Sequence, residues 1–196
     1  MKKIIENALR DSLMVKETFV KENMTNLISV AEKISSAFTS DRKLMICGNG
    51  GSAADAQHLA AEFVNRFMLE RPPLPAIALT TDTSIITSIG NDYTFNEIFS
   101  KQVKAIGMEG DLLLAISTSG NSPNILKALE AAQSRGIYTI GLTGGGDGGK
   151  LAKLADLAMV VKSNITARIQ ESHIFAGHVI CELVDYILFQ KGVTDE

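Results

Sequence analysis

The chain has 196 residues, of which 45% are hydrophobic and 21% charged, and its formal net charge is −3. This length suits one domain with a substantial core, and the charge gives no general reason to bind nucleic acid or an anionic membrane surface. The two cysteines, Cys47 and Cys181, lie in apolar segments, as reduced thiols of a cytoplasmic protein do. Neither a signal peptide nor a stretch of transmembrane length is expected.

The first 40 residues are predicted to be helical. Residues 3–40 contain no Gly or Pro, and their apolar residues recur at helical spacing. We expect two helices with a break near residues 21–26. They would form an extension over residues 1–40 that packs on the main domain, residues 41–196, and builds part of a subunit interface.

From residue 43 onward, short apolar runs alternate with helical segments. The runs are apolar without alternation, which is typical of strands buried on both faces of a parallel sheet. The predicted strands are 43–47, 76–80, 111–117, 138–143 and 157–161, and the predicted helices are 52–69, 95–106, 123–135, 150–155 and about 166–190. The predicted fold is α/β: a doubly wound, five-stranded parallel sheet of the flavodoxin or Rossmann type, with a long, apolar C-terminal helix. Such sheets bind ligands beyond the carboxyl ends of their strands.

The turn after the first predicted strand is rich in glycine. Gly48, Gly50 and Gly51 can adopt positive φ, and Ser52 is a suitable N-cap for the helix that follows. A strand, a glycine turn and a helix N-terminus together can hold a phosphate. A turn that is rich in glycine for steric reasons alone is the alternative.

The loop after the third predicted strand is rich in hydroxyl groups. Its helix opens with a Ser at the N-cap and a Pro at the next position, which leaves backbone N–H groups for an anion. The loop lacks the Lys of a Walker A motif, so the sequence favours a phosphate that is bound but not transferred. The hydroxyl groups belong to Ser117, Thr118, Ser119 and Ser122. This loop and the glycine turn are two candidate phosphate sites after separate strands of one sheet, and a turn that is merely rich in Ser and Thr is the alternative.

Two predicted helices carry polar stripes that could meet. Asp55, His58, Glu62, Asn65 and Arg66 share one face of the helix after the first turn, and His58 and Glu62 are i, i+4 neighbours. A solvated helix face explains this stripe equally well.

The polar groups of the buried C-terminal helix need partners. Gln170 and His178 lie two turns apart on nearly one face, whereas His173 points away from His178 and is expected either to pack or to lie at the surface. With His58 and Glu62 they could form either a mixed N/O metal site or an acid–base set. Asn91 and Asp92, in a Gly-Asn-Asp sequence, could bind sugar hydroxyls or simply form a turn.

Four segments carry a resemblance to a known family. CGNGGSAADAQH, IGNDYTFNEIFS, ISTSGNSPN and ARIQESHIFAGH resemble the phosphoheptose isomerases of the sugar isomerase (SIS) domain family, and the similarity covers essentially the whole chain. It implies conversion of D-sedoheptulose 7-phosphate into D-glycero-D-manno-heptose 7-phosphate, the first step towards ADP-heptose for lipopolysaccharide or related glycans. It also implies a homotetramer with active sites between subunits.

The resemblance also implies roles for individual residues. The phosphate would lie on Ser117, Thr118, Ser119 and Ser122, and the sugar would contact Asn49, Gly50, Gly51, Ser52, Glu62, Asn91, Asp92 and Gln170. Zn²⁺ would be held by His58, Glu62, Gln170 and His178, with Glu62 and His178 as the acid–base pair. Some members carry Asp where this chain has Ala167, so any role of that aspartate is in doubt here.

Two alternatives remain open from sequence. SIS domains also serve as non-enzymatic phosphosugar sensors and as partners of the bacterial replication initiator. Those roles do not require His58, Glu62 and His178 together. An isomerase for a sugar phosphate of another chain length is the second alternative.

Overall fold

The structure, a computed structural model, describes residues 1–190. Its strands form one five-stranded parallel sheet in the order β2-β1-β3-β4-β5, the order of flavodoxin-like folds. The predicted fold class is therefore confirmed. The strands are β1 Leu44–Gly48, β2 Ala76–Ala78, β3 Leu112–Ser117, β4 Tyr138–Thr143 and β5 Leu157–Val160. The helices are α1 Lys2–Thr39, α2 Gly51–Val64, α3 Thr83–Asp92, α4 Ile98–Ile106, α5 Pro123–Gln133, α6 Gly149–Leu154 and α7 Thr166–Phe189, with a 3₁₀ turn over Phe95–Glu97 before α4.

The sheet is covered on both faces, which explains why its strands are continuous apolar runs. In β1, Leu44 and Ile46 join a hydrophobic cluster with residues of α1, α2 and α7. Met45 and Cys47 face the other way, into a cluster with residues of α4, α5 and α6. The five strands lie within two residues of their predicted bounds.

The predicted pair of N-terminal helices is wrong, because α1 is one continuous helix of 38 residues. Nothing in residues 21–26 breaks a helix, since neither Gly nor Pro occurs there. Asn23 Nδ2 donates to Phe19 O at 3.0 Å, so this amide is satisfied along the helix itself. Asn26 Nδ2 donates to Ala158 O of β5, which fixes the same stretch of α1 against the sheet.

Only the second part of α1 packs into the core. Phe19 and Ile34 are buried in the cluster that includes α7, whereas Ile4 and Leu9 are 71% and 61% exposed. The predicted boundary after residue 40 stays a prediction. The last six residues of the predicted domain, 41–196, lie outside the described residues.

The C-terminal helix α7 is long and apolar enough to cross a membrane by length and composition alone. The expectation that no stretch reaches that length is therefore wrong. In this structure α7 packs against α1 and α2, and it buries polar side chains such as Ser172, His173 and Asp185. These contacts are those of the core helix of a globular domain.

Helix α2 ends earlier than predicted. Its last residue is Val64 rather than residue 69, so Asn65 and Arg66 are not on the helical stripe with His58 and Glu62. In the segment that follows, Arg71 and Leu74 donate hydrogen bonds to main-chain carbonyls of the last turn of α2, and these contacts end the helix.

Helix α3 was not predicted, because residues 80–92 were assigned to a loop and a turn. None of its side chains is fully buried, and its apolar residues at helical spacing, Ile85, Ile86 and Ile89, span little more than one turn. A second signal was Asp82, whose carboxylate accepts from Ile85 N at 2.8 Å and caps the helix.

Candidate active site

The candidate site begins where β1 and β3 end side by side. From β1 the chain continues to β2 on one side, whereas β3 lies on the other. The carboxyl ends of such neighbouring strands flank the topological switch point of a doubly wound sheet. The glycine turn follows β1 here, and the hydroxyl-rich loop follows β3.

The two loops are joined by a pair of side-chain amides. Asn49 Nδ2 donates to Asn124 Oδ1 at 2.9 Å, and Asn124 Nδ2 donates to Asn49 Oδ1 at 2.8 Å. Asn124 is 2% exposed. The amide of Asn49, predicted to line the sugar, is thus committed to holding the loops together. Asn124 was not predicted as a site residue, and the available signal was a polar side chain directly after Pro123 in the first turn of a helix.

The glycine turn exposes the start of α2. The N-cap is Gly50, with φ 55°, and not Ser52 as predicted, because the helix begins at Gly51. Ser52 is 3% exposed, and its N–H donates to Asn49 O at 3.0 Å. An N-cap without a side chain leaves the first N–H groups of α2 without a side-chain acceptor. This end of the helix therefore suits a polar or anionic ligand.

The hydroxyl-rich loop is tightly folded. Ser117 Oγ and Ser122 Oγ lie 3.3 Å apart, and Gly120 N donates to Ser117 Oγ at 3.2 Å. Ser122 is the N-cap of α5, but its hydroxyl makes no capping bond to the helix. Thr118 is half-buried and Ser119 is exposed. Several hydroxyl groups thus surround a helix N-terminus, as a bound phosphate requires.

The loop after β4 supports this arrangement. Gly120 has φ +64°, and a Cβ there would collide with Gly148 O. Leu151 N donates to Gly120 O at 2.9 Å, and Lys150 N donates to Asn121 Oδ1 at 3.2 Å. These contacts therefore brace the hydroxyl-rich loop against the loop after β4.

Helices α2 and α7 bring His58, Glu62 and His178 together. His58 Nε2 lies 2.9 Å from His178 Nε2 and 3.3 Å from Glu62 Oε1. His58 is about half exposed and Glu62 is 23% exposed in its side chain, so both can be reached by a small ligand. Phe67 stacks near His178, with ring centroids 5.5 Å apart. The predicted meeting of the two polar stripes is observed for these three residues.

Gln170 lies beside the start of α2. A Cβ on Gly51 would collide with Gln170 Nε2, so the amide rests directly on the glycine.

Asn91 and Asp92 are exposed at the end of α3, where Asn91 Nδ2 donates to Asp92 Oδ1 at 2.9 Å. Within residues 1–190, no hydrogen bond joins that pair to the other candidate residues.

Asp55 belongs to the same group of side chains. Burial raises the pKa of its carboxyl group, and the nearby His58 and His178 oppose that shift. Its Oδ2 atom is buried without a hydrogen-bond partner among the described residues.

His173 lies outside this group. It is fully buried and makes a hydrogen bond of 3.1 Å with Thr143 O, as its predicted packing role requires.

Known proteins identify the family of this chain. The SIS domain model matches residues 9–144. A phosphoheptose isomerase of Nitratidesulfovibrio vulgaris strain Hildenborough is 55% identical over 188 residues, covering 96% of this chain and 89% of the relative. The chain belongs to the phosphoheptose isomerase family of SIS domain proteins.

Further relatives agree with this assignment. A phosphoheptose isomerase of Aneurinibacillus thermoaerophilus is 52% identical and covers 97% of each chain. The structure of phosphoheptose isomerase from Neisseria gonorrhoeae superposes with a TM-score of 0.88 at 44% identity, covering 94% of this chain and 98% of that one. The family assignment therefore holds for both the sequence and the fold.

The donor atoms of the site suit Zn²⁺ by type. Two imidazole nitrogens, a carboxylate and an amide oxygen can all bind this ion. Nitrogens on a tetrahedral zinc lie about 3.3 Å apart, so the His58 and His178 rings would have to separate by a few tenths of an ångström. Within residues 1–190, no three His, Cys, Asp or Glu side chains are already arranged as a metal site. The four donor groups therefore fit Zn²⁺ by chemical type. In this structure the His58 ring lies between Glu62 and His178 and contacts both.

Proposed function

We propose that the protein is an aldose–ketose isomerase that converts D-sedoheptulose 7-phosphate into D-glycero-D-manno-heptose 7-phosphate. The observation that carries the proposal is the meeting of His58 and Glu62 on α2 with His178 on α7. Helix α2 begins at the glycine turn, which the Asn49–Asn124 pair joins to the hydroxyl-rich loop. An acid–base cluster next to a phosphate site is what an enediol isomerisation needs. The names of the relatives at about half identity support the same substrate.

The residues suggest how the substrate binds. Its phosphate would accept hydrogen bonds from Ser117, Thr118, Ser119 and Ser122 and from N–H groups at the start of α5. The sugar chain would then extend across Gly50 and Gly51 towards the cluster on α2 and α7, with Ser52 behind the turn. Asn91 and Asp92 would contact sugar hydroxyls through their exposed amide and carboxylate groups.

The reaction moves one proton between two neighbouring carbons. The Glu62 carboxylate takes a proton from C1 of the ketose while O2 receives one, which gives a cis-enediol. The C1 hydroxyl then loses its proton and C2 takes the proton held by Glu62, which gives the aldose. His178 transfers the proton between the O1 and O2 atoms of the sugar. His58 holds Glu62 and His178 in position through the contacts of its ring. Atoms and electrons balance without an oxidant or a reductant.

We also propose that Zn²⁺ binds this cluster. His58, Glu62, Gln170 and His178 would hold it, and when bound it would act as a Lewis acid on the sugar oxygens. Elemental analysis of purified protein should find about one zinc per chain, a ratio that follows from one donor set per chain. The His178→Gln variant should lose most of it. Zinc retained at the wild-type ratio in that variant would contradict the assignment.

A homotetramer with active sites between subunits is a further part of the proposal. It is supported by the exposed apolar side chains on the first part of α1, among them Ile4, Ile5, Leu9 and Leu13, which form a surface unusual for a monomer. Light scattering should give four times the chain mass.

The two free, buried cysteines suit a reducing cytoplasm, where the product would enter ADP-heptose synthesis.

One incubation tests the activity. The protein is mixed with sedoheptulose 7-phosphate and the anomeric proton of the aldose is followed by NMR, with and without a chelator. An equilibrium mixture of the two sugars is expected. The absence of product in both conditions, from fully assembled protein, would contradict the proposal and favour a binding role.

A further inference from the structure

Helices α2 and α7 run side by side in the same direction, and the site lies between them. Gly51 meets Gln170 near the start of the two helices, and farther along Leu59 lies against Gly177. A Cβ on Gly177 would lie 2.7 Å from Leu59 Cδ1, so the Leu59 side chain packs directly on the main chain of α7 at this glycine. Their spacing and register decide where the groups of the site stand relative to one another.

Beyond the site, one arginine holds the end of α2. Arg71 Nη2 donates to Glu62 O at 2.9 Å, and Nη1 donates to Phe63 O at 2.7 Å. Nη1 also lies 3.3 Å from Asn65 O. These carbonyls belong to the last turn of the helix and its cap, where no helical N–H group remains to bind them. The positive charge is also favourable at the negative end of the helix dipole.

The same guanidinium group is bound to α7. Arg71 Nε donates to Asp185 Oδ1 at 2.9 Å, and the two side chains are only 2% and 4% exposed. Asp185 follows His178 by two helical turns on nearly the same face of α7. Its Oδ2 has no hydrogen-bond partner within residues 1–190, so Arg71 is the group that compensates this buried charge.

We infer that the Arg71–Asp185 pair is a positioning device for catalysis. Arg71 binds the main chain of Glu62 itself, and Asp185 fixes that contact to the helix that carries His178. The pair therefore sets the distance across which the carboxylate and the imidazoles face each other. This inference rests on the proposed isomerase function, whose reacting groups it positions. Neither residue touches the substrate.

Steady-state kinetics of three variants test the inference. Arg71→Met removes the carbonyl contacts and the ion pair, Arg71→Lys keeps the charge but loses the forked geometry, and Asp185→Asn keeps an acceptor but removes the charge. We expect kcat to fall about 100-fold, 10-fold and 5-fold, since small displacements of reacting groups cost about that much. KM should stay within about threefold of the wild type because the hydroxyl-rich loop is unchanged.

A second ion pair, with a buried carboxylate and a partly exposed lysine, provides the control. Lys43 Nζ and Asp111 Oδ2 lie 2.6 Å apart, with Asp111 1% exposed, at the amino ends of β1 and β3, away from the site. The Asp111→Asn variant should lose stability but keep kcat within about twofold. Equal losses of kcat in Asp111→Asn and Asp185→Asn at matched folded fractions would overturn the inference, as would a loss confined to KM.

A readout without substrate separates this inference from the proposed function. The chain has three histidines, so ¹³C-labelled imidazoles give few signals, which single variants can assign. In Arg71→Lys the His58 and His178 signals should shift, whereas the His173 signal should not. Unchanged His58 and His178 signals would overturn the positioning role whether or not the sugar phosphate is converted. If Arg71→Met does not fold, Arg71→Lys and Asp185→Asn decide the question by the same criteria.

Discussion

Asn49 and Asn124 bind each other through two amide hydrogen bonds of 2.9 and 2.8 Å and so join the loops that follow β1 and β3. One loop opens the helix of His58 and Glu62, and the other carries the hydroxyl groups assigned to phosphate. The phosphate site and the acid–base cluster are thereby held in one frame.

Breaking this amide pair should affect substrate binding. The Asn124→Leu variant leaves the half-buried amide of Asn49 without its partner, which should cost about 1–3 kcal/mol of unfolding free energy. KM for the sugar phosphate should rise because the two loops are no longer aligned. Denaturant unfolding and initial rates measure both effects. The Asn26→Ala variant, which loses a single bond to Ala158 O far from the site, should leave KM unchanged; a KM of Asn124→Leu equal to that of Asn26→Ala would refute this role.

The hydroxyl of Ser122 should contribute to phosphate affinity. Replacing it with Ala removes one hydrogen bond to a charged group, worth about 1.5–3 kcal/mol, so KM should rise about 10-fold or more. Inorganic phosphate should inhibit the variant correspondingly less. Ser134→Ala, at the other end of α5, serves as control because, among the described residues, Ser134 Oγ bonds only to Ala131 O. Equal KM values for the two variants would rule Ser122 out of the phosphate site.

A methyl group on Gly51 should displace Gln170. In the Gly51→Ala variant the new Cβ would take the place of the Gln170 amide, which belongs to a flexible side chain that can move away. We expect kcat to fall about 10-fold, as displaced groups do, with a change in unfolding free energy of less than about 1 kcal/mol, because Ala is a good helix former. Unaltered turnover would show that Gln170 is not needed where it now lies.

His173 should make stability depend on pH. Burial lowers the pKa of its imidazole from 6.5 to about 4. The unfolded chain therefore binds more protons between those values, and the stabilisation, complete above pH 6.5, is lost as the pH falls towards 4. The loss is at most about 1.4 kcal/mol per pH unit. Urea unfolding at pH 7 and pH 5, at one protein concentration, should show a smaller difference for His173→Gln than for the wild type; equal differences would contradict this origin.

The sequence predicted the sheet well because burial on both faces leaves a local signal. Each strand is a short apolar run between turns, and the strand order then follows from the fold class. Helix α3 was missed because its apolar residues, Ile85, Ile86 and Ile89, span little more than one helical turn and none of its side chains is fully buried. Continuity of α1 could have been inferred from the absence of Gly and Pro over residues 3–40.

The site was predictable where helical spacing, or the need of buried polar groups for partners, decides which residues meet. His58 and Glu62 are neighbours on α2 by periodicity, and the meeting with His178 followed from the need of buried polar groups for partners. The end of α2 was misjudged because Arg71, seven residues beyond Val64, caps it through a tertiary contact. Asn124 was missed for the same reason, since its partner is 75 residues away.

The most direct test of the account is isomerisation of sedoheptulose 7-phosphate in D₂O by the wild type and the Glu62→Gln variant. The wild type should form the aldose and introduce deuterium from solvent at the reacting carbons. Glu62→Gln should form no aldose and exchange no carbon-bound hydrogen, while phosphate still binds and the assembly keeps its mass. Aldose formation or deuterium exchange by this variant at rates near those of the wild type would contradict the assignment of Glu62 as the base.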